Sequence, residues 1–549
     1  MANVMTTAPL PAKTPDKKLP EPKDSLRDIT ETVVFVIVLV LMLKLFVAEA
    51  FVIPTGSMAE TLWGHQKIAV CDECEFEFPV NAYDEVEGPG RQGIVGYHCP
   101  NCGNASSWNR ENNPTAGSGD RVLVLKPEYH FSSPNRWEVP VFKYPKEPMQ
   151  NWIATNYIKR LIGLPGETIA LYSGDLYVVN WDYPQFDDKG QEIRTRPDKD
   201  TDLWRHEYMY SEQRDRIGPD GKDLFREHSF RILRKPPVKM MAMSRIVNDN
   251  DFQPKTVAGK LPRNRWAPEN PVAWTFDDPK MPKQFTAISP DNLSWLRYQN
   301  IQINWLEPEK SQPALITNFL GYNAGEHREP NRNNEFRITG DGEYWVGDLI
   351  VEAEVEAQSD DGEIVLELSR SVDRFQARFN LADGKCTLVR NNLEGRKELA
   401  SQSTTVKGKG TYKLRFANVD QQLTVWVGSK VIDFGKDSEY APPPVRLTFD
   451  TADHRQEGWF RENDLLAPAS IGIQGKGVVK KIRLLRDTFY TSPAGRVETF
   501  YVQPGHYFCL GDNSAASADS RSWGVVPERL LLGRALVVYY PLSRIGLIE

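Results

Sequence analysis

Basic residues are not in excess: 67 Lys and Arg stand against 74 Asp and Glu, for a formal net charge of −7. A nucleic-acid-binding surface needs the opposite balance, so no nucleic-acid partner is expected. Cysteine is scarce. Six in 549 residues do not make a disulfide scaffold, which packs more cysteine into a smaller chain. There is no internal repeat, which removes solenoids and propellers. Long hydrophobic runs are almost absent, since the longest uninterrupted one is the eleven residues Val33–Leu43. What remains is ordinary globular composition, 40% hydrophobic and 26% charged, with room for two to four domains. Fourteen Trp and 39 Pro suit strands and loops better than a helical bundle.

Residues 1–27 are rich in Pro, Lys, Ala and Thr and read as a disordered tail. Residues 28–49 then read as a transmembrane helix. Its apolar core alone has the length of a buried helix or a signal-peptide core. With its flanks, Ile29–Ala48, it covers about 30 Å as a helix, and Lys44 can snorkel to an interface. Lys13, Lys17, Lys18, Lys23 and Arg27 precede it, while Glu49 and Glu60 follow. The positive-inside rule therefore puts the N-terminus in the cytoplasm and the rest across the bilayer.

Immediately after this segment comes Phe51-Val-Ile-Pro-Thr-Gly-Ser-Met-Ala-Glu-Thr-Leu62, which sets Ser57 on a tight bend at Gly56. A serine hydroxyl is a weak nucleophile until a base takes its proton. The best candidate for that base is not a histidine but Lys159, in Tyr157-Ile-Lys-Arg-Leu-Ile-Gly-Leu-Pro-Gly166. Strand alternation there puts Tyr157, Lys159 and Leu161 on one face. A lysine acts as a base only when desolvation lowers its pKa toward neutrality. A Thr-Gly-Ser turn and a solvated strand lysine are the bland readings of both residues. A third stretch, Gly511-Asp-Asn-Ser-Ala-Ala-Ser-Ala-Asp-Ser-Arg521, is dense in hydroxyls and carboxylates.

Two further segments carry their own patterns. Cys71-Asp-Glu-Cys74 and Cys99-Pro-Asn-Cys102 are two Cys-x-x-Cys knuckles, the spacing of a structural zinc ribbon over residues 66–118. Two disulfides are the alternative on the far side of a membrane. From 181 to 489 the chain changes character. It is polar and loop-like to about 225, and then carries many short alternating strands, among them Leu349–Val355, Glu363–Ser369, Tyr412–Phe416, Val445–Phe449 and Val478–Leu485. This pattern predicts an antiparallel sandwich and resembles a lectin-like, concanavalin-type jelly roll whose last strand returns to the first. The fold class expected is mainly β.

The motifs around Ser57 and Lys159, the Gly511–Gly524 stretch and the terminal Leu542-Ser-Arg-Ile-Gly546 together resemble bacterial signal peptidase I. The resemblance covers residues 50–64, 119–180 and 495–549. It implies a β catalytic domain formed by 50–180 and 490–549, with the cysteine segment and the sandwich as insertions. It implies Ser57 as nucleophile, Lys159 as general base and Ser517 as the hydroxyl that orients the lysine. Asp519 and Arg521 would form an ion pair beneath the site, with Asp512 as a supporting carboxylate. The oxyanion hole would combine the Ser57 N–H with the Thr55 hydroxyl, and Met58 would lie near the substrate surface. No catalytic cofactor is implied. The implied substrate is a signal peptide with small side chains at its small-x-small cleavage site, bound as an added strand, and the implied location is the bacterial inner membrane. A Ser/Lys self-cleaving repressor lacks an anchor and fits less well. A membrane-displayed binding protein, with the sandwich holding an unknown ligand on an inactive scaffold, is the alternative from another class.

Overall fold

The computed structural model describes residues 25–88, 93–109, 111–145, 155–180, 230–288, 292–328, 336–338, 342–441, 462–491 and 498–549. The polar stretch 181–225, the Val445–Phe449 strand and nearly all of the N-terminal tail lie outside them. Residues up to Glu49 form one unit and Ala50–Glu549 another.

In the first unit Ser25–Phe46 is a helix. Its side chains from Val33 to Leu43 are exposed, while Arg27, Asp28 and Glu31 occupy its first turns. Among the described residues no helix is long and apolar enough to cross a membrane.

The second unit is mainly β. Leu531–Tyr540 runs between Arg121–Leu125 and Pro140–Lys143, with Asn156–Ile158 at the far edge of that sheet. Ile53, Met58, Leu62, Val122, Val124, Val141 and Ala535 fill the core beside it. A second sheet aligns Arg231–Ile232, Asp175–Asn180, Glu167–Tyr172 and Glu498–Tyr501. Within it, Ala170 faces Tyr177 on one side and Thr499 on the other. The chain therefore leaves at Asn180 and returns at Glu498 on either side of one strand. Close ends are what let a long insertion sit in a fold without disturbing it.

The insertion is built round two antiparallel sheets that share a core of Trp266, Phe285, Leu366, Phe375, Phe416 and Val425. One sheet is centred on Leu349–Ala357, between Gly410–Val419 and Gly477–Arg486. The other is centred on Glu363–Arg370, between Asp373–Asn380 and Ala469–Gln474. Alternation does the sorting: Val351, Ala353 and Val355 face the core, as do Ile364, Leu366 and Leu368. Gly477–Arg486 also pairs with the early strand Gln284–Ala287, so the last strand does return to the start.

The cysteine segment is not separate from this insertion. Ile94–His98 pairs with Ala105–Ser107 and with Gly325–Arg328 of the inserted region. Asn101, between the second pair of cysteines, donates to Phe252 O at 2.7 Å and accepts from Asp249 N at 2.7 Å.

The sandwich and the sheet holding Glu167–Tyr172 meet at a buried charge cluster. Lys235 Nζ lies 2.8 Å from Asp420 and 2.7 Å from Asp487, and Arg370 bridges Asp348 and Asp175. Four carboxylates thus share two cations. Burial pushes the Asp487 carboxyl up to about 7, although Lys235 opposes it. A raised folded pKa means that the native state holds a proton the unfolded chain has released. Stability from this group is therefore greatest below the unfolded value of about 4, and declines as pH rises toward 7. Thermal unfolding of Asp487→Asn compared with the parent from pH 4 to 8 should show that decline flattened in the variant.

Candidate active site

Ser57 lies in a single helical turn, Gly56–Met58, which begins after an extended Thr55. Two bonds fix the turn internally: Ala59 N donates to Gly56 O at 3.0 Å, and Leu62 N to Met58 O at 2.8 Å. Met58 is fully buried in the core with Ile53 and Leu62. Its side chain anchors the loop from below.

Lys159 does not lie within a single strand. Asn156–Ile158 pairs with Pro140–Lys143, whereas Arg160–Gly163 pairs with His506–Leu510 in another sheet. The lysine sits at the change of sheet. Its Nζ lies 2.5 Å from Ser57 Oγ and 5.7 Å from the centre of the Tyr157 ring. Leu161 lies in a cluster with Phe142, Tyr507, Cys509 and Trp523, against which Tyr157 also packs. Lys159 is only 2% exposed. Burial disfavours its ammonium form and brings its pKa down to about 8, although the Asp519 and Asp512 carboxylates oppose the shift.

Ser517 packs against Gly511, close enough that a side chain there would overlap both Ser517 Oγ and Ser57 O. Its buried Oγ has no hydrogen-bond partner among the described residues. The bond to Lys159 that the resemblance implies is therefore not formed in this arrangement. Thr55 is exposed, and its side chain caps nothing. Asp519 receives Arg521 Nε at 2.8 Å and Nη2 at 2.7 Å, and accepts from Gly511 N at 3.1 Å. This ion pair ties the two ends of the 511–521 loop together.

Sequence reasoning missed the partners that complete this floor. Asp512 forms a two-pronged pair with Arg160, at 2.7 Å for both bonds and with both side chains fully buried. Burial would raise the Asp512 carboxyl, and the Arg160 guanidinium more than offsets that, holding it below the usual range. Arg160 stands next to Lys159, which was a signal available in the sequence. Arg544, from the terminal motif, reaches Asp120 at 2.9 Å and donates to Thr61 O at 3.0 Å, and its guanidinium stacks on Trp63.

Away from Ser57, the sulfurs of Cys71, Cys74, Cys99 and Cys102 all lie within 4.8 Å of one another, and the group can hold one metal ion. Cys71 is 3.6 Å from Cys102 and Cys74 is 3.6 Å from Cys99, and none is disulfide-bonded. Tetrahedral thiolates at about 2.3 Å from a zinc ion are separated by a little under 4 Å, so the four sulfurs fit that ion. Both knuckles have the same shape. Glu75 N donates to Cys71 O and Gly103 N to Cys99 O, and both residues take a left-handed backbone, φ 63° and 80°.

The family described as signal peptidase, peptidase S26, matches residues 104–224 and 474–540. Signal peptidase I of Rickettsia bellii is 26% identical over 145 residues, 26% of this chain and 37% of that protein. The chain is similar to bacterial signal peptidase I. The enzyme of Pseudomonas fluorescens is 26% identical over 213 residues, 36% of this chain and 63% of its own length. That of Aquifex aeolicus is 51% identical over 41 residues, 8% and 16% of the two chains. The chain thus spans about a third of the Rickettsia enzyme it matches. The family match includes Lys159, Asp512, Ser517, Asp519 and Arg521 but begins beyond Ser57. Among solved structures, a carbohydrate-binding module of Bacillus subtilis aligns with 40% of this chain and 95% of its own, at 8% identity and a TM-score of 0.23. A galectin of Caenorhabditis elegans aligns with 25% and 83%, at 11% identity and a TM-score of 0.18. At these scores neither likeness carries an argument.

Removing one side of the Arg160–Asp512 pair leaves a buried charge alone, whereas removing both does not. Arg160→Met is expected to destabilise the protein by about 3–5 kcal/mol. The double variant Arg160→Met with Asp512→Leu should recover most of that loss in chemical denaturation.

Proposed function

We propose that this protein is a membrane-anchored serine endopeptidase that removes signal peptides from exported preproteins by a Ser57/Lys159 dyad. The observation that carries the proposal is the short approach of the buried, base-poised Lys159 amine to Ser57 Oγ. In the neutral form Lys159 takes the hydroxyl proton as Ser57 Oγ attacks the scissile carbonyl. The Ser57 N–H and the Thr55 hydroxyl receive the developing oxyanion. Protonated Lys159 then gives its proton to the departing amine, and, neutral again, it takes one from the water that frees the acyl group. Ser517 orients the lysine in this scheme, through a hydroxyl that has no other partner among the described residues. Asp512, Asp519 and Arg521 hold the floor in place. No cofactor enters the reaction.

The substrate is an extended peptide carrying small residues at the cleavage site. Asn156–Ile158 ends its sheet directly before Lys159, and a peptide added along that edge passes the dyad. Anchoring rests on the exposed apolar face of Ser25–Phe46. Its eleven-residue apolar core is short for a span, so Arg27 and Lys44 would have to reach the two interfaces by snorkelling. The basic residues before it favour a cytoplasmic N-terminus in a bacterial inner membrane. A zinc ion held by Cys71, Cys74, Cys99 and Cys102 would be structural, because four thiolates leave no open position.

Cleavage of a test preprotein by the detergent-solubilised chain decides the main reading. Ser57→Ala and Lys159→Ala should each lose at least about 10³-fold in kcat. An inert parent, or normal cutting by either variant, would overturn it. Because the lysine must be neutral, kcat/KM should rise with pH up to a limb near 8 and then level off. A flat profile between about 6 and 9 contradicts a lysine base. For the cysteine cluster, metal analysis should find one zinc per chain. Cys102→Ser should lower that content and the melting temperature while leaving the cleavage pH profile unchanged.

A further inference from the structure

Two consecutive residues of the inserted region, Tyr322 and Asn323, lie against the nucleophile turn. Both are buried: Tyr322 is fully covered and Asn323 is 7% exposed. Asn323 and Asn513 exchange two amide hydrogen bonds, Asn323 Nδ2 to Asn513 Oδ1 and Asn513 Nδ2 to Asn323 Oδ1, each at 2.7 Å. Asn513 Nδ2 also donates to Gly56 O at 2.9 Å, and Asn513 N donates to Ser57 O at 3.1 Å. Tyr322 OH accepts from Gly64 N at 3.1 Å. Its ring lies so close beneath Gly56 that any side chain there would overlap it. Arg245, also of the insertion, donates to Ala59 O at 2.9 Å.

These contacts act on one peptide plane. The Gly56–Ser57 peptide is planar and trans, so its N–H points opposite its carbonyl. Fixing Gly56 O therefore fixes the direction of the Ser57 N–H. Asn513 fixes Gly56 O, and Asn323 occupies the remaining oxygen and N–H of the Asn513 amide, so that this amide neither turns nor flips. The Tyr322 ring closes the space into which the turn would otherwise relax.

The geometry points to Asn323 as a positioning residue supplied by the inserted region: acting through Asn513, it aims the Ser57 N–H that receives the oxyanion, with Tyr322 as the backstop. The catalytic consequence rests on the Ser57/Lys159 reading proposed above. The insertion is then part of the catalytic framework and not only an appendage to it. A donor that works on the oxyanion acts in the transition state more than on bound substrate. Losing its aim should therefore reduce kcat and leave KM nearly unchanged.

The test uses the full chain with Asn323→Leu, and with the smaller polar Asn323→Ser in case the first variant fails to fold. Per folded enzyme, kcat should fall about 10- to 100-fold, KM should stay within about twofold, and the acid limb set by Lys159 should not move. Hydrogen exchange supplies a readout that needs no cleavage. The amides of Ala59 and Leu62 should exchange about tenfold faster in the Asn323 variants, while those of the Glu363–Arg370 strand in the sandwich keep the parent's rates. A kcat within twofold of the parent, or unchanged exchange across residues 54–64, overturns the inference. If the parent itself cleaves nothing, the peptidase reading fails, and the exchange experiment still decides whether Asn323 holds the turn.

Discussion

The proposed Ser57/Lys159 dyad depends on removing water from one amine. An ammonium in water holds its proton far above neutral pH, and only desolvation brings it within reach of a hydroxyl as a base. Around Lys159 the protein supplies that desolvation without supplying an ion partner that would reverse it. The nearby carboxylates are committed elsewhere: Asp512 to Arg160 and Asp519 to Arg521. They pull the lysine pKa upward at a distance, yet neither is bonded to it. An unpaired Asp512 or Asp519 at the same place would hold the proton on Lys159 more tightly.

This arrangement explains why so many arginines surround a small site. Arg160 neutralises the floor, Arg521 braces the 511–521 loop, and Arg544 binds the carbonyls beyond the Ser57 turn. Each comes from a different part of the chain, and each satisfies backbone carbonyls as well as a carboxylate. The insertions extend the same logic outward. Their two ends flank a single strand, and their interior returns to the turn through Tyr322, Asn323 and Arg245. At the other end of the joint, Lys235 and Arg370 hold four carboxylates between the sandwich and the sheet holding Glu167–Tyr172.

Much of this was legible in the sequence. The order and spacing of the Ser57, Lys159 and Gly511–Arg521 stretches put the dyad candidates on the page, and the paired Cys-x-x-Cys knuckles identified four sulfurs that do converge. Strand alternation identified most of the sandwich, because a half-buried strand writes its two faces into alternate residues. At Tyr157–Ile162 alternation held for Tyr157 and Leu161, which pack in one cluster, but it did not reveal that the chain changes sheets at Lys159.

The sequence alone determined local matters: which segments could be strands, which residues had the chemistry of nucleophile, base and metal ligand, and where a helix would carry an apolar face. Only the tertiary structure decided which charges cancel and which groups fix the turn. Asn323 and Asn513 are 190 residues apart, and Arg160 and Asp512 are 352 apart. No periodicity reports a contact over such separations. A buried polar group is compatible with the fold only when its partner arrives, and that partner is chosen by how the sheets pack.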